Sequence, residues 1–207
     1  VQRCPVRDEE WVCPAHAGVQ RPVQGIHRQQ HPAKTRAVET AAAAKAPDAE
    51  VKDAAIAILC EWPTTDALAD VTALAKTGAT PREKILALRG IIRLTPLQNV
   101  PAQQKRASLK DVLPLVERDD EKRLLLSALA AIPTTESLAL VTPHLGNKDL
   151  KEEASLAAVA IAEKVGGAHP AEVVAAMTEV TQATANKRTA RQAASLLDQA
   201  RKAAPKK

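Results

Sequence analysis

The chain has 207 residues, 45% of them hydrophobic and 26% charged, with a formal net charge of +5; this balance suits a globular domain and excludes a disordered or fibrous chain. It contains 42 Ala, 21 Leu and 17 Val but no Phe or Tyr, two Trp and only seven Gly, so a core must be assembled from small aliphatic side chains, as closely approached helices do and aromatic-rich sheets do not. No apolar run approaches the roughly 20 residues that span a bilayer, and no charged-then-apolar signal opens the chain, so no membrane segment is expected.

Residues 1–36 read as an irregular N-terminal extension with its own bias: five Arg to one Lys, against nine to 14 afterwards, with Pro and Gln interspersed. Within it, VCPAHAGVQRPVQGIHRQQHP (12–32) places Cys13 and His16 three apart, His27 and His31 four apart, and ten residues between the pairs, with Cys4 nearby as a further ligand. Two ligands at i and i+4 on a short helix and two from a tight C-x-x-H turn reach one tetrahedral ion, and zinc suits the mixed sulfur and nitrogen set. A site with three of these ligands and a water would activate that water for attack on an activated ester or phosphoester. Two other readings stand beside this one. In the first, the extension has no chemistry of its own and is not native to the helical body; in the second, Trp11, Val12 and Ile26 cap the apolar edge of the first helical unit.

From about residue 37 the pattern is helical, and it stays so to about residue 203. First helices with a charged start and one apolar stripe open at VKDAAIAILCEW (51), REKILALRGIIRL (82), EKRLLLSALAAI (121), KEEASLAAVAIAEKV (151) and KRTARQAASLLDQA (187). Stripes such as Ile85, Leu88, Ile92 and Leu124, Leu125, Ala128, Leu129, Ile132 recur at helical spacing and are expected to be buried. Between them lie partner helices over Asp66–Lys76, Lys105–Glu117, Glu136–Leu145 and Ala171–Ala185. Pro63 and Pro133 stop the preceding helix, and the Thr and acid of PTTD and PTTE suit an N-cap and a first turn. Thr80-Pro81 opens a helix in the same manner, Gly146-Asn147 and Gly166-Gly167 suit helix ends, and RLTPLQNVPAQQK (93–105) is the one longer connection.

Two segments align at an offset of 70: AIAILCEWPTTDALADVTALAK (55–76) and LLSALAAIPTTESLALVTPHLG (125–146) share PTT, an acid, Leu-Ala and Val-Thr in register. That is an internal repeat of two units of about 35 residues each. Paired helices of this length, with a Pro near the turn, resemble HEAT repeats, particularly Ala- and Leu-rich bacterial arrays. The resemblance covers roughly 38–203, although the family's recurrent Asp and Arg are not regularly placed. It implies an all-α fold: a right-handed α-solenoid of four to five HEAT-like hairpins whose second helices line a concave face open to a protein or peptide partner. An exposed terminal unit would also allow two copies to join end to end.

Little in the body carries chemistry. His144 and His169 read as turn or capping residues, the Asp119–Glu121 cluster suits a helix start, and Ser108, Ser127, Ser137, Ser155 and Ser195 have no His near them in sequence. No G-x-S-x-G elbow, phosphate-binding loop, dinucleotide glycine pattern or H-E-x-x-H occurs. HEAT-like alkylpurine DNA glycosylases hold damaged DNA with Trp, Asp and Arg, but Trp62 aligns with Ile132 and reads as core. Charge is uneven: residues 1–36 carry six Lys/Arg against three Asp/Glu, 37–186 carry 16 against 20, and 187–207 carry seven against one. Basic residues gathered at the ends, with almost no aromatics, do not make a phosphate groove, so nucleic acid is not the expected partner and binding through the basic last helix is the remote alternative. Residues 204–207 read as a basic tail. Three Cys give no disulfide framework, which points to a reducing compartment, the cytoplasm.

The leading expectation is therefore a non-catalytic interaction scaffold with no required cofactor, and the competing one is a zinc hydrolase. Elemental mass spectrometry on protein purified without added metal separates them. The hydrolase requires about one zinc in the full chain and none in a chain starting at Thr35; the scaffold predicts no metal in either.

Overall fold

The computed structural model describes residues 32–204, and among them every regular element is a helix. In chain order these are α1 (Pro32–Ala43), α2 (Ala49–Cys60), α3 (Leu68–Thr77), α4 (Pro81–Leu94), α5 (Ala102–Val112), α6 (Asp119–Ala130), α7 (Thr135–Val141), α8 (Lys151–Val165), α9 (Pro170–Ala183) and α10 (Lys187–Ala203). Single 3-10 turns lead into α3 (65–67) and extend α4, α5 and α7 (95–97, 113–115 and 142–146). The all-α expectation holds, and no described helix is long and apolar enough to cross a membrane. Helix α1 crosses position 37, where the helical pattern begins in the sequence.

Polar side chains at the helix starts explain where the helices begin, because the first amides of a helix have no partner within it. Asp48 accepts from the Glu50 and Val51 amides at 2.9 and 3.1 Å, and Asn186 caps α10 in the same way. Thr80 accepts from the Glu83 amide at 3.2 Å while the Glu83 carboxylate reaches back to the Ala79 amide at 2.8 Å, a reciprocal cap with Pro81 at the first helical position. Thr134 accepts from the Ser137 amide at 3.0 Å, as the PTTE pattern predicts. Thr64 differs: its hydroxyl donates to Asp66 at 2.7 Å and caps no amide. The segment there opens as a 3-10 turn and α3 starts only at Leu68. Helix α5 begins at Ala102, ahead of the predicted Lys105. The connection before it is correspondingly short, and the Lys105 ammonium closes it by donating to the Pro96 carbonyl at 2.8 Å.

The two segments that align in sequence fold into the same order of helix, Pro-Thr-Thr turn and helix, and their matched positions share burial. Ile56 and Leu126, Leu59 and Leu129, and Val71 and Val141 are all buried. Thr72 and Thr142 each donate to the carbonyl four residues back, at 2.7 and 2.8 Å. Trp62 and Ile132 part company: Ile132 is buried, whereas Trp62 is half-buried against the core edge.

Even-numbered helices pack in succession, α2 on α4, α4 on α6, α6 on α8 and α8 on α10, while α3 lies on α4, α7 on α8, and α9 on both α8 and α10. One core runs from Ile56 to Ala200. Alanines fill many of its contact positions, among them Ala67, Ala87, Ala154, Ala158, Ala162 and Ala193, all fully buried. Small side chains bury little area each, so the helices must come close to exclude water.

Gly90 of α4 shows how close. A Cβ there would stand 2.8 Å from Val71 Cγ1 and 3.1 Å from the Cys60 carbonyl oxygen. Gly90→Ala is therefore expected to lower the free energy of unfolding by about 1 kcal/mol, overriding the gain of similar size that alanine brings to an open helical site. Gly146, with nothing within 4 Å of a Cβ, serves as control, and Gly146→Ala is expected to change stability by less than about 0.5 kcal/mol. Urea denaturation midpoints at unchanged m-value read both.

Candidate functional site

The side of the molecule formed by the even-numbered helices carries a shallow apolar furrow in two adjoining parts. The first, of about 420 Å³, lies between α2, α4 and α6 and is floored by Cys60, Leu86, Ile92 and Ala128, with Leu124 and Ala131 along its α6 side. The second, of about 330 Å³, lies between α6 and α8 among Ala130, Leu156, Ala157 and Ala160. Ser127 belongs to both. Small residues leave the furrow open: Ser127 and Ala128 of α6 and Ala131 at its end in the first part, and Ser127 and Ala130 facing Ala157 and Ala160 in the second, where larger side chains would have closed the gap. Leu124 and Leu156, which edge it, are 44% and 52% exposed; Leu124 therefore lies outside the buried stripe of α6 in which the sequence places it, because it borders the furrow instead of the packed layer.

Charged side chains flank the furrow and tie its walls together. Arg89 of α4 donates to the Glu121 carboxylate of α6 through Nε at 2.8 Å and Nη2 at 2.7 Å. Glu121, with a side chain only 2% exposed, also faces Arg118 at 3.7 Å. Arg123 of α6 meets Glu153 of α8 at 3.4 Å, pairs with Asp120 at 3.1 Å and donates to the Asp149 carbonyl at 3.0 Å. Arg93 of α4 donates to the Cys60 and Trp62 carbonyls at 2.9 and 2.7 Å, satisfying carbonyls that the end of α2 leaves open. Its charge has no carboxylate partner among the described residues.

The same device recurs beyond the furrow. Lys52 of α2 pairs with Glu83 of α4 at 3.0 Å, and Glu152 of α8 accepts from the Thr184 hydroxyl and the Ala185 amide, at 2.7 and 2.8 Å, just before α10. In each link from α2 to α8 a basic residue reaches a carboxylate in the first turn of the next even-numbered helix, where the exposed amides favour negative charge. The signal was present in the sequence as Lys52 and Glu83, Arg89 and Glu121, and Arg123 and Glu153, base before acid at about 31 residues' separation. Sequence reading that follows apolar stripes passes over it.

Cys60 is a buried free thiol at the furrow floor. Burial pushes it up to about 11, against the pull of Arg93 and with a further push from Glu61, so it is protonated at neutral pH and is no nucleophile. His144, in the 3-10 turn after α7, is held below its ordinary value by burial and then by Lys122, and stays neutral. His169 stands at the N-cap of α9 with Nδ1 3.8 Å from Glu172. Ser137 is buried and exchanges hydrogen bonds with Thr134, and no serine is bonded to a histidine among the described residues. The Trp62 indole Nε1 is buried without a partner. The candidate metal ligands Cys4, Cys13, His16, His27 and His31 lie outside the described residues. Among the described residues, no three His, Cys, Asp or Glu side chains gather as a metal site.

Fold and furrow together define a class, an all-helical protein whose even-numbered helices are stacked side by side and stapled by charged pairs. No family model, no curated protein and no solved structure matches this chain.

Acid should loosen the staples in a defined direction. Glu83 is held below its ordinary value of 4.5, by Lys52 foremost and with help from the Ala79 and Thr80 amides against the opposing effect of burial. Glu152 is lowered chiefly by Thr184 and then by the Ala185 amide. A carboxyl whose folded value lies below its unfolded one stabilises the fold above the unfolded value and loses that contribution as pH falls below about 4.5. Urea midpoints at pH 7, 5 and 3 are expected to drop more for the parent than for Glu83→Gln, which starts lower at pH 7 and has less to lose.

Proposed function

We propose that this chain is a non-catalytic interaction scaffold, a HEAT-like α-solenoid that presents one helical face to a protein or peptide segment. The furrow across α2, α4, α6 and α8 supports the reading. Leu124 and Leu156, each about half exposed, edge the two parts of one furrow that share Ser127, so they belong to a continuous apolar strip and are not isolated surface leucines. Covering them would return about 1 kcal/mol each at the usual value per unit of apolar area. Arg93, anchored to two carbonyls and unmatched by a carboxylate, adds a preference for an acidic residue on the partner. The occupant that fits is an amphipathic segment with two aliphatic anchors and one carboxylate. The surface used is that of the first helices in each pair, whereas the HEAT resemblance implied the second.

Selection of displayed random 12-residue peptides against the full chain tests this. Enriched peptides are expected to combine aliphatic and acidic residues, and Leu124→Asp is expected to weaken them at least tenfold while circular dichroism and thermal midpoint stay unchanged. Peptides that bind Leu124→Asp as well as the parent would sink the assignment of this face.

A further inference from the structure

The last helix presents a different chemistry. Buried Thr189, Ala193, Leu197 and Ala200 lock one side of α10 against α8 and α9. At about 100° per residue, Lys187, Arg191 and Lys202 fall within an arc of roughly 60° on the side away from these, with Arg188 and Arg201 about 40° beyond its two edges. All five are exposed, and none forms an ion pair among the described residues. The stripe is about 22 Å long at the usual helical rise.

Arg201 and Lys202, in the last turn of α10, are where the helix dipole favours cations, but helix stability does not account for the other end. Lys187 and Arg188 occupy the first turn of α10, where the aligned peptide dipoles disfavour positive charge, and no acidic residue accompanies them there. The even-numbered helices α4, α6 and α8 carry acids at that place.

The cations also fall into two groups. Lys187, Arg188 and Arg191 stand at one end and Arg201 and Lys202 at the other, their centres about 19 Å apart along the axis. Between them the same face carries Ser195, Gln199 and Asp198, and Gln199 donates to Ser195 at 3.3 Å. A continuous anionic plane such as a lipid surface would set negative charge opposite Asp198, and the apolar side of α10 is already spent on the core, so the helix cannot sink into a bilayer. Two rows of phosphate separated by a groove match the pattern better, with the Asp198 region over the gap.

We propose that the exposed face of α10 binds the phosphate backbone of a nucleic-acid duplex, straddling a groove with its two basic clusters and making contacts that do not depend on base sequence. This surface is separate from the α2–α8 furrow, and the two can succeed or fail independently.

The test is fluorescence anisotropy of the full chain with a labelled 20-base-pair DNA duplex between about 50 and 200 mM KCl. Five phosphate contacts contribute about −4.5 to the slope of log affinity against log salt, equivalent to roughly 500-fold over this range. The combined variant Lys187→Gln, Arg188→Gln, Arg191→Gln, Arg201→Gln and Lys202→Gln, which changes exposed side chains alone, is expected to keep its helicity and to lose about that much slope and at least 100-fold in affinity at 50 mM. The proposal is overturned by no duplex binding by the parent at 50 mM, by a variant that binds like the parent, or by a parent that prefers vesicles of about 30% phosphatidylserine to the duplex at equal salt. Replacing only Lys206 and Lys207 by Gln is expected to leave most of the slope in place, and loss of the whole slope there would equally refute the role of α10.

Discussion

Close approach between helices is the constraint on which the rest of this structure depends. A core without Phe or Tyr and with 42 Ala in the chain cannot fill wide gaps, so each helix must lie near enough for methyl groups and backbone to meet. The contact of Gly90 with Val71 and the Cys60 carbonyl is the sharpest case. Fully buried alanines on α4, α8 and α10 continue it. The same economy of side chain creates the furrow. Where alanines and Ser127 face one another at the edge of the packed layer, nothing reaches across, and an apolar depression remains at the surface.

Helices that touch through alanine slide easily, because small side chains make shallow ridges and grooves. The charged staples counter that. Glu121 is almost completely buried and nonetheless lies against Arg89 and Arg118 at the start of α6, where the helix amides share in holding its charge. Removing two charges from water costs about as much as their attraction returns, so such a pair adds little net stability. What it does add is register. Lys52 with Glu83, Arg89 with Glu121 and Arg123 with Glu153 each fix one even-numbered helix lengthwise against the next, which an alanine interface cannot do alone.

Features governed by local chemistry were legible in the sequence. Pro63 and Pro133 end helices, Thr80 and Thr134 cap them, and the absence of large aromatics rules toward helix; all of these follow from backbone donors and side-chain volume, and the helices stand where those rules place them to within a few residues. Tertiary features were less legible. Trp62 aligns with a core position but is too large for the space that Ile132 fills, so it sits half-buried with its indole nitrogen unpartnered. The furrow results from what is missing between helices, and no single residue announces it. The staples did leave a trace, base and acid about one unit apart, in residues that an analysis of apolar periodicity sets aside. The Cys and His of the N-terminal extension, the most chemical part of the sequence, are the part on which the described residues are silent.

Counting charge by segment locates the basic end of the chain but not which charges remain unmatched at the surface. Residues 37–186 carry four more acids than bases, which suggests a negative body that would repel phosphate. Pairing inside the structure removes charge of both signs: Glu83 and Glu121 are matched by Lys52 and Arg89, so the excess of acids is unchanged, and Glu152, turned toward Thr184 and the Ala185 amide, keeps its charge. The five cations of α10 are not consumed in this way. A field felt at a distance is set by charges left in solvent and unmatched, since a close pair behaves as a dipole whose effect dies within about a Debye length, near 10 Å in ordinary buffer. By that measure the outward face of α10 is a separate positive surface beside a body that keeps its excess of acids. The furrow and the α10 stripe thus offer two different chemistries, one apolar with a single unmatched arginine and one cationic, and each follows from which side chains the packing has used up and which it has left over.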